Sequence, residues 1–125
     1  MIQRLEIDSV HYHASDDLKR YVRRKIGKLD RYLNRHSRRS VHAQIKLKEH
    51  AKKDKKQCTC EVVLFLPNET LTVHESTMNM FAAVDIVETK LKNQLKKYKE
   101  KHHPSRRRAL ARRLSRSLRF GERQS

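Results

Sequence analysis

Two cysteines, Cys58 and Cys60, and eight histidines are the side chains here with the chemistry to hold a metal or assist a nucleophile. Cys58 and Cys60 with His11, His13, His42 or His74 offer donors that zinc takes, but a Cys-x-Cys pair lacks the usual Cys-x-x-Cys spacing. On an extended strand both thiols project from one face, and neighbours so close rarely form an unstrained disulfide; two reduced core cysteines are the other reading. Catalysis has less to draw on. No carboxylate pair, nucleophile or Gly-rich phosphate loop accompanies the histidines, and two glycines leave little scope for such a loop. No enzymatic activity and no cofactor are expected.

Positive charge is what the sequence has in quantity: 31 Lys and Arg against 14 acids, a formal +17 over 125 residues. Self-repulsion of that size is tolerated mainly in chains that work on a polyanion, here RNA, DNA or an acidic membrane surface. The length suits one domain with at most an appendage. No run of about 18 apolar residues is present to span a bilayer, and the start MIQRLEID lacks the apolar stretch of a secretory signal, so a cytosolic chain is expected. The charge is uneven. Residues 102–125 hold eight arginines, no lysine and one acid, Glu122. His102, His103 and Pro104 mark the break, since proline removes an amide donor and disfavours helix in the residue before it. A domain over 1–101 and an Arg-rich tail over 102–125 follow.

Within the domain, Ile2, Leu5 and Ile7 suggest a short strand. SDDLKRYVRRKIGKLDRYL then opens with a Ser15 cap and two acids, and Leu18, Tyr21, Val22, Ile26, Leu29, Tyr32 and Leu33 form one helical stripe. Strict alternation of Val41, Ala43, Ile45 and Leu47 predicts a half-buried strand, followed by an exposed loop over AKKDKK, 51–56. In a third strand Cys58, Cys60, Val62, Leu64 and Leu66 share a face, while Val63 and Phe65 face away. Pro67 and Asn68 turn the chain into a fourth strand near 70–75, with Leu71 and Val73 inward. Ser76, Thr77 or Asn79 caps a final helix whose stripe is Met80, Phe81, Val84, Val87, Leu91, Leu95 and Tyr98.

Two apolar helix stripes are buried together only if both helices pack on the same sheet face. The expected fold is α+β, a two-layer β-α-β-β-β-α sandwich with a four-stranded sheet, two helices on one face, and a basic C-terminal tail. Its helices would present a joint basic surface. Arg20, Arg23, Arg24, Lys25, Lys28 and Arg31 come from the first; Lys90, Lys92, Lys96, Lys97, Lys99 and Lys101 come from the second. A solvated surface helix usually mixes both signs, whereas the stretch from Lys90 to Lys101 meets only Glu100, so this surface is assigned to binding a polyanion.

The final helix, NMFAAVDIVETKLKNQLKKYKEK, is similar to the DMYAAID…KL…QL.K.K signature of the bacterial ribosome hibernation factors, the sigma-54 modulation protein-like family of ribosome-associated translation inhibitors and short hibernation-promoting factors. The first helix resembles that family's through Leu18, Lys25, Lys28, Leu29, Tyr32 and Leu33, and EVVLFLPNETLTVHES resembles its third and fourth strands. The resemblance covers residues 1–101. It implies a fold reminiscent of the double-stranded RNA-binding domain that lodges in the small ribosomal subunit. There it would lie over 16S ribosomal RNA in the decoding channel, exclude messenger and transfer RNA, and so inhibit translation in stress and stationary phase without chemistry on a substrate. By position, Lys25, Lys28, Lys90, Lys97, Lys99 and Lys101 would contact ribosomal RNA phosphates.

Departures from the pattern sharpen the expectations. Asn79 stands where the family has Asp, and Asn93 where Arg is frequent, with Lys92 beside it as a substitute. DSVHYHAS lacks the Gly and Arg or Asn common after the first strand, so His11 or His13 would have to replace any contact made there. The separate C-terminal dimerisation domain of the long hibernation factors is not seen in this sequence. Instead PSRRRALARRLSRSLRFGERQS carries Leu110, Leu114 and Leu118 every four residues among arginines including Arg106, Arg107, Arg108, Arg112 and Arg113. Fifteen or so such residues make a marginal helix in water, so the tail is either disordered or a basic amphipathic helix that folds on RNA or an anionic surface. With only three leucines and Phe120 as apolar area, membrane binding is the weaker use. A plug in the small subunit is thus the first expectation and a general RNA-binding or RNA-chaperone module the alternative; a zinc nuclease would need bound metal.

Overall fold

The structure, a computed structural model, describes residues 1–52 and 55–102, so the tail arginines from Arg106 onward lie outside the described residues. Chain order is β1 (Arg4–Val10), α1 (Asp16–Gly27), a 3₁₀ turn (Lys28–Tyr32), α2 (Arg35–Ser40), β2 (His42–Lys52), β3 (Lys55–Phe65), β4 (Thr70–Thr77) and α3 (Met80–His102). The sheet order is β1-β2-β3-β4. β1 runs parallel to β2, which requires a crossover, and α1 with the segments after it supplies one; the remaining pairings are antiparallel.

α1 starts where its caps dictate. The Ser15 hydroxyl accepts from the Leu18 amide at 3.1 Å, and Asp16 and Asp17 sit in the positive first turn. It ends earlier than the sequence period predicts: after Gly27 the chain tightens into the 3₁₀ turn, although Leu29 and Leu33 stay buried. Leu29 and Tyr32 are three residues apart, a spacing that both windings place on one side, so the apolar period could not distinguish them. Two further differences concern segments with little apolar signal. α2 is a single short helix from NRHSRRS, capped by Asn34 Oδ1 accepting from Ser37 N at 2.8 Å, and its sequence has no apolar stripe to announce it. The predicted 51–56 loop is instead strand on both sides. β2 and β3 pair all the way out to Lys52 opposite Lys55, because backbone ladder bonds extend as well through polar residues as through apolar ones.

The core is one layer between the sheet and the helices. Ala43, Ile45 and Leu47 of β2, Cys58, Cys60, Val62 and Leu64 of β3, and Leu71 and Val73 of β4 are buried beneath Leu18, Val22 and Ile26 of α1 and Val84, Val87, Leu91 and Leu95 of α3. Each buried Val, Leu or Ile side chain contributes about 1.5–3 kcal/mol by leaving water. The opposite face is open: Val63 and Phe65 are half-buried, and Phe65 stacks on His42 with ring centroids 4.3 Å apart. At the far end of β1, His11 takes a left-handed φ of 52°, in the stretch where the sequence offers no glycine.

Candidate nucleic-acid interface

α3 is the longest described element and carries six of the candidate cations. Asn79 is its cap: Oδ1 accepts from Phe81 N at 2.9 Å, and its carbonyl accepts from Ala83 N at 3.0 Å. Helical geometry divides the lysines by spacing. Lys90, Lys97 and Lys101 fall on one flank of the buried stripe, toward β4; Lys92, Lys96 and Lys99 fall on the other, toward the 3₁₀ turn. The crest between them carries Ile86, Thr89, Asn93 and Glu100. The basic surface is therefore two stripes beside the core contact, not the outermost ridge of the helix.

Acids hold part of the β4-side stripe. On the β4 side Lys90 donates to the Glu75 carboxylate, and that hydrogen bond and charge hold Glu75 below the usual carboxylate range. Lys101 lies 3.3 Å from Glu69, which His102 also approaches at 3.6 Å. Lys97 is exposed and lines a shallow hollow with these groups.

Between α1 and α3 the arrangement is a clasp. Lys25 reaches Asp85 at 3.7 Å and Glu88 at 3.9 Å, and Lys28 reaches Glu88 at 3.7 Å. The Tyr21 hydroxyl donates to Asp85, which pushes the phenol up to about 12. The Tyr21 ring meets Phe81 edge-on at 5.1 Å, with Arg24 5.4 Å from its centroid. Asp85 of the AAVD motif and Tyr21 of the apolar stripe thus meet across 64 positions of sequence. Helical period alone marked Tyr21 as apolar; a hydroxyl on a stripe is the signal for a polar partner at its tip.

A further cluster surrounds Tyr32. Arg31 lies 5.2 Å from its ring centroid and donates to its hydroxyl at 3.3 Å, while Lys92 lies 6.0 Å over the ring. These cations lower the phenol's pKa, the Arg31 hydrogen bond foremost. Tyr32, Lys96, Lys99 and Glu100 line a hollow of about 250 Å³. Arg20 is tied to Asp17, and Arg23 stands exposed on α1. Sequence reasoning also passed over Arg4, Arg35, Arg38 and Arg39, which lie together at the start of β1 and on α2. The run RHSRRS was the available signal.

Cys58 and Cys60 are free and buried on the helix-facing side, and burial pushes the Cys60 thiol up to about 12. Among the described residues no group of three or more His, Cys, Asp or Glu side chains is placed to hold a metal ion, and no helix is long and apolar enough to cross a membrane.

Fold and site together define a small α+β domain that displays cationic stripes on two packed helices. Its sequence matches the profile of the Sigma 54 modulation protein / S30EA ribosomal protein family over residues 5–103, and the chain belongs to that family. It is 35% identical over 96 residues to the ribosome hibernation promotion factor of Lactococcus lactis subsp. cremoris (strain MG1363), covering 77% of this chain and 49% of that protein. It is 33% identical over 96 residues to the one from Staphylococcus aureus (strain COL), covering 77% and 48%. The chain thus spans about half the length of these curated relatives. Among solved structures it resembles the Thermus thermophilus Protein Y N-terminal domain, with a TM-score of 0.63 and 22% identity over 74% of this chain and 94% of that one. A ribosomal subunit interface protein from Coxiella burnetii gives a TM-score of 0.62 and 20% identity over 78% and 98%. At these identities the structural likeness concerns the fold.

Proposed function

We propose that this chain is a non-enzymatic regulator of translation that binds the ribosome in the cytoplasm and holds it in hibernation. The membership above supports this reading, as do relatives that are named ribosome hibernation promotion factors. The observation that carries it is the disposition of charge on α3 and the 3₁₀ turn. Lys92, Lys96, Lys99 and Arg31 cluster around Tyr32 on elements locked to a buried core, a pre-arranged surface for phosphates and stacked bases. In finer detail, the domain sits on the small subunit against 16S ribosomal RNA in the decoding channel and occludes messenger and transfer RNA.

Binding then needs shape and counterion release, not base readout. Each phosphate neutralised adds about 0.7–0.9 to the slope of log affinity against log salt. Cosedimentation with purified small subunits at about 0.15 M salt, where loose phosphate contacts are screened, tests the proposal. The expected result is stoichiometric binding that transfer RNA and messenger reduce. Weak binding equal to that on naked RNA would overturn it and leave a general RNA binder.

A further inference from the structure

We propose a second phosphate site on this domain: an arginine-lined hollow where β1 and β2 begin, which grips the sugar-phosphate backbone of RNA. It rests on the ribosome-binding reading and extends the contact beyond the α1 and α3 stripes. The hollow measures about 420 Å³ and is lined by Arg4 at the start of β1, Arg35, Arg38 and Arg39 of α2, and Asp30 of the 3₁₀ turn.

One arginine builds the hollow and three face into its solvent. Arg38 Nε donates to the carbonyls of Asp30 at 3.1 Å and Leu33 at 3.0 Å, so its guanidinium fastens α2 to the 3₁₀ turn. Arg4, Arg35 and Arg39 are exposed and make no ion pair among the described residues. Asp30 does not neutralise them, because its carboxylate pairs with the Met1 ammonium at 3.0 Å. Several guanidinium groups around one concavity repel each other until an anion enters, and their planar forks suit phosphate oxygens in pairs.

The occupant is a chain of phosphates, not a single anion, because Arg38 and Arg31 tie the hollow to the Tyr32 cluster already described. Arg38 also approaches the carbonyl of Arg31 at 3.4 Å, and the Arg31 side chain covers Tyr32 beside Lys92. An extended polyanion following the Tyr32 cluster is thereby led into the hollow.

The test removes the three outward charges and spares Arg38. The triple variant Arg4→Gln, Arg35→Gln, Arg39→Gln is compared, in the full chain, with a charge-matched reference, Lys46→Gln, Lys48→Gln, Lys55→Gln, whose lysines lie on β2 and β3. Circular dichroism melts establish that both fold. Affinity is measured from about 0.05 to 0.2 M salt for small subunits and for a bare RNA duplex, and inorganic phosphate is titrated by NMR.

The arginine variant should lose about one to two units of salt slope, one per phosphate released, and about tenfold in affinity at the middle of that range. The reference should keep its slope within about half a unit. Equal losses in both variants would reduce the hollow to a share of the general field and overturn the proposal. Loss of phosphate binding with unchanged RNA binding would likewise overturn it in favour of a free-anion site. If the unmodified chain shows no preference for subunits, the ribosome reading fails, and the duplex measurements still decide the hollow.

Discussion

Tyr21 and Tyr32 show how a single neighbour decides what a side chain does. Both lie on the α1 side of the seam with α3, yet Tyr21 donates to a carboxylate while Tyr32 is covered by cations, so their phenols shift in opposite directions. A folded-state pKa raised above the ordinary 10 means that the folded protein holds the proton more tightly. The Tyr21 contribution is therefore complete below about pH 10 and is lost as pH rises toward about 12. In an NMR titration Tyr32 should ionise before Tyr21. Denaturant melts should show Tyr21→Phe destabilised at neutral pH, with the difference shrinking above pH 10. An unchanging difference would mean that the hydroxyl bond is not its source.

At the scale of elements, the α1/α3 seam sets charge against charge within the basic surface. Glu88 stands between Lys25 and Lys28, and its side chain is only 16% exposed. It steadies the helix pair and also competes with any phosphate for those lysines. Ion pairs at or near the surface contribute about 0.2–1 kcal/mol. Glu88→Gln should lower stability by about 0.5–1 kcal/mol in urea melts while raising affinity for an RNA duplex about two- to fivefold at low salt. Falling affinity would show instead that the clasp positions the lysines for RNA. Neither effect is readable from α3 alone, since Lys25 and Lys28 reach Glu88 only because both helices lie on one sheet face.

For the whole molecule, formal charge of +17 on 125 residues sets stability and binding against each other. Salt relieves self-repulsion in the compact state and weakens attraction for phosphates. Raising sodium chloride from about 0.05 to 0.5 M should thus raise the melting temperature by about 2–6 °C while RNA affinity falls steeply. A melting temperature that falls with salt would mean that the ion pairs at Glu69, Glu75 and Glu88 outweigh the net repulsion.

Hydrophobic period and caps determined most of the architecture locally. Leu18, Val22 and Ile26, the alternation from Val41 to Leu47, and Val84 through Leu95 each specify an element and its buried side, because burial of one face is what makes that element stable. Element order, the shared face for both helices and the chain's polycationic character follow from that pattern and the charge. Signals failed where burial says little: α2 has no apolar stripe, the β2–β3 ladder continues through polar residues, and a three-residue spacing fits both α and 3₁₀ winding. Only the tertiary structure decided which cations stand together. It paired Lys90 with Glu75 and Lys101 with Glu69, drew Lys25 and Lys28 onto Glu88, and gathered Arg4 with Arg35 and Arg39. Those meetings depend on how separately specified elements cross, and charge on a flexible side chain leaves no periodic trace of its partner.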